Sequence, residues 1–161
     1  MKNLVEKHPS AWLRLAGIEA PDVETLSDEY FSTLNSDLST VTTACDKVFR
    51  INGAKPSLFH IEFESEGANL PVRVLRYAVI LVNKYVLPVD SAAVLLRKTA
   101  NKSEITGVVE LFGADGERNL HFKYRVIKIW EIPVENILNG EIGILPLAPI
   151  SRRSQMNLPM F

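Results

Sequence analysis

The sequence predicts one α/β domain in which helices flank a mixed central sheet. An amphipathic segment with a helical period, residues 69–86, lies between apolar segments of strand length, and the order strand, helix, strand normally gives a parallel crossover connection. The 161 residues, of which 47% are hydrophobic, suffice for one domain with its own core. We expect this domain to span residues 1–150 and residues 151–161 to form a loosely tethered tail.

A short helix and three strands are predicted before the long helix. Their ranges are residues 10–17 for the helix and 30–41, 46–51 and 58–64 for the strands. We expect Ser10 to cap the short helix and Gly17 to stop it. Asn52-Gly53 is a tight-turn signal between the second and third strands, so these two strands are predicted to pair as an antiparallel hairpin.

The long helix at residues 69–86 carries Pro71 in its first turn, where proline is favoured. Apolar residues recur at i, i+3, i+4 and i+7 and predict the buried stripe of this helix: Leu75, Ala78, Val79 and Val82. Arg73, Arg76 and Tyr77 place polar groups on its first two turns. Arg73 and Tyr77 are four residues apart, so they share one face of the helix.

Strands dominate the remainder of the sequence. After the long helix we predict a buried strand at residues 88–97, and then a hairpin whose strands span residues 107–112 and 120–132 with Asp115-Gly116 at its tip. The last predicted elements are a short helical turn at residues 133–139 and an extended segment at residues 144–149.

The net charge of −1 argues against a uniformly basic nucleic-acid binder, but the charge is unevenly distributed. Residues 1–66 hold 6 Lys or Arg and 11 Asp or Glu, which gives −5, whereas residues 67–161 hold 12 and 8, which gives +4. The acidic residues 1–66 would favour the binding of cations, and the basic residues 67–161 would favour the binding of phosphates. A chance division of the charges is the alternative explanation.

The sequence also indicates the cellular compartment in which we expect the protein. No apolar run reaches the roughly 20 residues that cross a bilayer. The N-terminal residues lack the apolar core of a signal peptide, so we expect a cytoplasmic protein without a membrane partner. The single cysteine, Cys45, excludes an internal disulfide and a cysteine zinc cluster.

Charged side chains alternate along the third predicted strand. The two-residue period places one set of side chains on the same face of the sheet: Leu58, His60, Glu62 and Glu64. Carboxylates this close repel each other, and a hard divalent cation would relieve the repulsion. Asp46, on the neighbouring strand, is predicted to reach the same end of the sheet. The alternative is the solvated face of an ordinary antiparallel strand.

Six segments together resemble the PD-(D/E)XK nuclease core, and more particularly the family of recombination-promoting nucleases or putative transposases. They are residues 37–51, 59–65, 70–77, 88–97, 124–133 and 145–149. The predicted order of helix, three strands, helix and strand matches this core as well, and the resemblance covers about residues 25–150. It implies a restriction-endonuclease-like core, αβββαβ, with an added C-terminal β-hairpin.

The resemblance implies a magnesium-dependent DNA endonuclease, with manganese as the other candidate cation. Asp46 and Glu62 match the two acidic ligands of the motif, and the carbonyl of Phe63 would be a third oxygen ligand. A cation bound there would activate a water molecule for attack on the phosphodiester bond.

The resemblance also implies roles for residues of the long helix. Arg73 and Tyr77 fall at the spacing of a Gln and Tyr pair in related nucleases, and together with Arg76 they are expected to contact DNA phosphates. For Arg73, a surface ion pair with Glu64 or Glu66 is the alternative.

One position departs from the motif. Glu64 stands where the family carries Lys or Gln, which removes a group that would orient water or stabilise charge on the phosphate. Glu64 would then act as an auxiliary metal ligand or base, and His60 as a proton shuttle or as a structural group beside Glu62. The departure favours the alternative function, a catalytically inactive relative that binds nucleic acid or a protein. A structural subunit that forms a homodimer through the late hairpin is the third hypothesis.

Overall fold

The computed structural model describes residues 2–17, 31–34 and 45–153. The helices in these ranges are α1 (Lys2–Lys7), α2 (Pro9–Leu15), α3 (Leu70–Tyr85) and α4 (Val134–Leu138), and the strands are β1 (Phe31–Thr33), β2 (Lys47–Ile51), β3 (Ser57–Glu64), β4 (Val89–Leu95), β5 (Val108–Phe112), β6 (Arg118–Lys123) and β7 (Arg125–Lys128). None of the helices in these ranges has the length and apolar character that a membrane crossing requires.

A mixed five-stranded sheet lies at the centre of the fold, in the order β1-β2-β3-β4-β7. β2 pairs with β1 and β3 in antiparallel fashion, whereas β4 pairs with β3 and β7 in parallel. The predicted hairpin around Asn52-Gly53 is therefore confirmed as β2 and β3. The predicted crossover is confirmed too, because α3 connects the parallel strands β3 and β4. Helices flank the sheet, as the sequence predicted.

The two faces of β3 contribute to different parts of the core. Phe59 and Ile61 are fully buried in the cluster that contains Trp12 of α2, while Leu58 is buried with Leu81 of α3. Alternate residues of one strand thus face opposite sides of the sheet, as the two-residue period predicts. The face that carries His60, Glu62 and Glu64 is consequently the one that α3 covers.

The helix α3 forms where it was predicted, but only part of the predicted stripe is buried: Ala78 is, whereas Val79 and Val82 are not. Its buried row is Leu70, Pro71, Val74, Tyr77, Ala78 and Leu81. Val79 and Val82, which the sequence analysis assigned to the core, are 54% and 48% exposed. The two rows differ by about 100° around the helix, the rotation of a single residue. Apolar residues occur on nearly every side of α3, and the packing of Tyr77 and Leu81 under the sheet selects the row that is buried.

The short N-terminal helix confirms one of its predicted ends. Gly17 stops α2, since its φ of +62° lies in the left-handed region and its amide donates to the Arg14 carbonyl. The prediction that Ser10 caps the helix was wrong. His8 occupies the N-cap and Pro9 begins the helix, because proline fits the first turn, where no amide donor is needed. Ser10 lies inside the helix and donates to Glu141 Oε2 at 3.2 Å.

The predicted late hairpin forms from β5 and β6, with Asp115-Gly116 in the turn. The predicted strand over residues 120–132 is not continuous, however. It breaks at Tyr124, and β7 leaves the hairpin to join the central sheet beside β4. The amide of Tyr124 donates to the Gly107 carbonyl, and its buried ring packs beneath the hairpin. The apolar segment at residues 120–132 therefore contributes one strand to each of two sheets.

The C-terminal part also differs from the prediction. Residues 144–149, predicted as extended, belong to a 3-10 helix over Ile142–Ile150 that includes Pro146 and Pro149. The fixed φ of proline suits a 3-10 turn as well as an extended segment, and the 3-10 turn buries Ile144 and Leu147.

The first residues of the predicted tail are bonded to the domain. The amide of Arg152 donates to the Ile132 carbonyl at 2.8 Å, and Arg152 forms an isolated bridge with Pro133. The predicted helical turn at residues 133–139 is confirmed as α4. Residues 154–161 of the predicted tail, and most of the predicted first strand, lie outside the described residues.

Two valines of α3 test which side of this helix is buried. We expect Val74→Ala to lower the free energy of unfolding by about 2 kcal/mol, because the Val74 side chain is fully buried. The same substitution at the exposed Val79 should change it by less than about 0.5 kcal/mol. Urea unfolding of both variants measures the difference. A larger loss for Val79→Ala would contradict the observed orientation of α3.

Candidate functional site

Asp46 and Glu62 lie next to each other at one end of the β2–β3 hairpin. The pairing of Lys47 with Ile61 places Asp46 opposite Glu62. The backbone amide of Asp46 donates to Glu62 Oε1 at 2.9 Å, and the amide of Phe63 donates to Asp46 Oδ2 at 2.9 Å. The two acidic side chains that the sequence assigned to a metal site are thus brought together, and each is fixed by a backbone donor.

Arg73 of α3 joins Glu62 to a third carboxylate, Glu64. Its Nε donates to Glu62 Oε2 at 3.1 Å, and its Nη2 donates to Glu64 Oε2 at 2.6 Å. The Glu62 and Glu64 side chains are only 4% and 10% exposed, whereas the Arg73 side chain is 32% exposed. Of the two ion pairs that were the alternative for Arg73, the one with Glu64 is present, and Glu62 is an additional partner.

The turn after β3 holds Glu64 independently of Arg73. The amides of Ser65 and Glu66 both donate to Glu64 Oε1, at 2.8 and 2.7 Å. Gly67 makes this turn possible, because its φ is +83° and a Cβ there would lie 2.2 Å from the Ala100 carbonyl oxygen. The sequence therefore provides Glu64 with a rigid backbone cradle.

His60 supports Glu62 from beneath. It is fully buried, and its Nε2 lies 3.1 Å from Glu62 Oε1 while its Nδ1 lies 3.2 Å from Ser91 Oγ. A ring nitrogen of histidine can donate or accept, so both distances are within the range of hydrogen bonds. These contacts fit a residue that positions Glu62. The role of His60 as a proton shuttle stays a prediction.

Tyr77 completes the buried side of the site. Its ring packs edge-on against His60, with 5.6 Å between the ring centroids. Burial, and then the negative charge of Glu62, raise the pKa of the Tyr77 hydroxyl above its ordinary value. The phenol is therefore protonated at neutral pH and can donate a hydrogen bond.

Two further residues, Arg76 and Phe63, were predicted to belong to the site. Arg76 is exposed on α3, one residue before Tyr77. The ring of Phe63 lies on the opposite face of the sheet, edge-on to Trp12 with 5.3 Å between centroids. The role of the Phe63 carbonyl as a metal ligand stays a prediction.

Opposing effects set the pKa values of the ion pair. Burial would raise the pKa of Glu64, but the backbone hydrogen bonds from Glu66 and Gly67 and the neighbouring Arg73 guanidinium hold it below its ordinary value of 4.5. Burial likewise acts to lower the pKa of Arg73, and the two carboxylates more than reverse this. Both groups are thus charged at neutral pH.

The donor chemistry of the site fits a magnesium ion that keeps most of its water ligands. Within the described ranges, no group of three or more His, Cys, Asp or Glu side chains is placed to hold a metal ion. Magnesium, however, is commonly held by one or two carboxylates together with water and phosphate oxygens, which Asp46 and Glu62 allow. Three carboxylates and one guanidinium leave a formal charge of −2. Arg73 already contacts Glu62 Oε2, so an ion bound to that oxygen would have to displace it.

The sequence analysis missed Ser91 and the pairing of Arg73 with Glu62. Ser91 meets His60 only through the parallel register of β3 and β4, which places the two residues opposite each other. No local pattern in the sequence gives that register. The Arg73 contact depends on how α3 is rotated over the sheet, which the predicted stripe had misplaced.

Comparisons with known proteins identify no family. The chain matches no protein-family model, no curated protein matches it significantly, and no solved structure does so either.

The ionisation of Glu64 predicts how stability depends on pH. Because the pKa of Glu64 is lowered on folding, its carboxylate stabilises the fold above the ordinary value of 4.5, and this contribution is lost as the pH falls through the lower folded value. We therefore expect Glu64→Gln to reduce the free energy of unfolding most at neutral pH. The difference from the unsubstituted protein should shrink below about pH 4.

Urea unfolding at pH 7, 5 and 3.5 measures this dependence. Glu66→Gln, whose side chain is exposed, is the matched control. A difference between the Glu64→Gln variant and the unsubstituted protein that stays constant over this range would contradict the assigned ionisation.

Proposed function

We propose that the chain is a magnesium-dependent DNA endonuclease of the PD-(D/E)XK type, similar to the recombination-promoting nucleases or putative transposases. The observation that carries this proposal is the adjacency of Asp46, which directly precedes β2, and Glu62 on the neighbouring strand β3. Metal-dependent phosphodiester hydrolysis needs carboxylate oxygens that are held close together by a rigid scaffold. Manganese is the other cation that this donor set suits.

The order of elements supports the same proposal at the level of fold. Two antiparallel pairings join β1, β2 and β3, and α3 then leads to the parallel strand β4. In the described part of the chain, helices precede these elements and the β5–β6 hairpin follows them, an order that is compatible with the proposed αβββαβ core. Proteins of unrelated function can share one order of elements, so the acidic pair remains the main support for the proposed function.

In this proposal Asp46 and Glu62 hold the cation. The cation, when bound, supplies a polarised phosphate and a water molecule of lowered pKa. His60 and the Asp46 amide orient the Glu62 carboxylate, and the Phe63 amide orients that of Asp46. Ser91 fixes the ring of His60 in turn. The chain thereby keeps both carboxylates in place before substrate arrives.

A specific observation favours a second candidate function. Glu64 occupies the position where related nucleases carry Lys or Gln, and the arginine that sits beside it is engaged by Glu62 and Glu64. An acidic site whose charge is partly compensated by its own arginine is what an inactive relative would retain. Such a relative would bind nucleic acid or a protein, with the exposed Arg76 of α3 as one contact.

A plasmid-nicking assay separates the two functions. We expect the purified protein to nick supercoiled DNA in magnesium or manganese and to lose this activity in EDTA. Asp46→Ala should reduce nicking by at least about 100-fold, because removal of a metal ligand exceeds the 10–100-fold cost of losing a supporting partner. Glu66→Ala is the matched control, since it removes an exposed acid close to the site.

Two outcomes of this assay would count against the proposed nuclease function. Equal nicking by the Asp46→Ala variant and the unsubstituted protein would identify a contaminating nuclease and contradict the proposal. Absence of nicking in both proteins, combined with retained DNA binding in a gel-shift experiment, would favour the inactive relative.

A further inference from the structure

We propose that Arg73 is the built-in counter-ion of the acidic site and that it sets the affinity of this site for divalent cations. In this view, the guanidinium compensates part of the negative charge of Glu62 and Glu64 in the cation-free protein, and it must leave Glu62 when a divalent cation binds. The inference deepens the proposed function, because it takes Asp46 and Glu62 as the cation-binding pair. It does not depend on whether the bound cation supports cleavage.

The geometry of Arg73 is that of a bridging cation. Two different guanidinium nitrogens contact two different carboxylates, Nε at 3.1 Å from Glu62 Oε2 and Nη2 at 2.6 Å from Glu64 Oε2. Both acids are buried, with 3% and 8% relative exposure, so water compensates their charges only weakly. Two such carboxylates at alternate positions on one face of a strand require a neighbouring positive charge. Arg73 supplies it.

The same contacts place Arg73 in competition with a metal ion. Glu62 Oε1 already accepts from the Asp46 amide and lies 3.1 Å from Nε2 of His60. Glu62 Oε2 is then the oxygen with acceptor capacity left, and Arg73 Nε donates to it. Two effects therefore weaken the binding of a divalent cation to Glu62. The oxygens of Glu62 already accept hydrogen bonds, and the positive charge of Arg73 lies a few ångströms away and repels the cation.

Hydrogen bonds other than those of Arg73 hold Glu62 and Glu64, so Arg73 can leave while both carboxylates stay in place. Glu64 keeps its hydrogen bonds from Ser65 and Glu66, and Glu62 keeps those from Asp46 and His60. The Arg73 side chain is 32% exposed, so its guanidinium has a path into solvent. Departure of the arginine therefore leaves both acids oriented and increases the negative charge offered to a divalent cation.

Titration of manganese into the intact protein tests this inference. We expect Arg73→Gln to bind Mn²⁺ at least about tenfold more tightly than the unsubstituted protein, because a positive charge within a few ångströms of the bound ion has been removed. Lys84→Gln is the matched control. It makes the same change of net charge on the same helix, and Lys84 is an exposed residue about 16 Å along the helix axis from Arg73. Its Mn²⁺ affinity should therefore stay within about threefold of the unsubstituted protein.

A second measurement needs no substitution and therefore does not depend on whether the Arg73→Gln variant folds. Nuclear magnetic resonance of the arginine Nε–H groups should show a protected Arg73 signal in the cation-free protein. Saturation with Mg²⁺ should remove this protection as the guanidinium leaves Glu62. An Arg73 signal that is unchanged at saturating Mg²⁺ would overturn the inference.

The titration has equally definite outcomes. Equal or weaker Mn²⁺ binding by folded Arg73→Gln, or no Mn²⁺ binding by either protein, would overturn the inference. Failure of the proposed function looks different: Mn²⁺ binds, and binds more tightly to Arg73→Gln, but no plasmid is nicked. Conversely, nicking that depends on Asp46 combined with equal Mn²⁺ affinities would overturn the inference and leave the proposed function intact.

Discussion

The arrangement of this molecule depends on two buried carboxylates on the same face of β3. Glu62 and Glu64 lie beneath α3, where water cannot compensate their charges, and the guanidinium of Arg73 joins them. Breaking a buried ion pair leaves an uncompensated charge that is expensive, although the pair itself adds little net stability. In the proposed function, these acids are retained for the cation that they bind.

This constraint links the fold to the site. The β2–β3 hairpin sets Asp46 opposite Glu62, the β3–β4 register brings Ser91 to His60, and α3 places Arg73 over both acids. Each functional side chain thus comes from an element that also contributes to the core. A rigid scaffold of this kind holds carboxylates in place before any ligand arrives, which is what a cation site with few protein ligands needs.

Local patterns predicted the parts of this structure that depend on local physics. The alternation along β3, the Asn52-Gly53 turn and the extent of α3 follow from side-chain period and turn chemistry. The side of α3 that is buried does not follow from local patterns, because apolar residues surround the helix. Only the packing of Tyr77 and Leu81 determines which side faces the sheet. The break at Tyr124 likewise arises because one apolar run feeds two sheets.

The central claim is that Asp46 and Glu62 form a divalent-cation site. Anomalous diffraction from crystals soaked in manganese tests it most directly, because it locates the ion without reference to activity. The account predicts an anomalous peak within coordination distance of both carboxylates, with the Arg73 guanidinium moved away from Glu62. Manganese bound elsewhere, or an unoccupied acidic pair with Arg73 still in contact with Glu62 at saturating manganese, would contradict it.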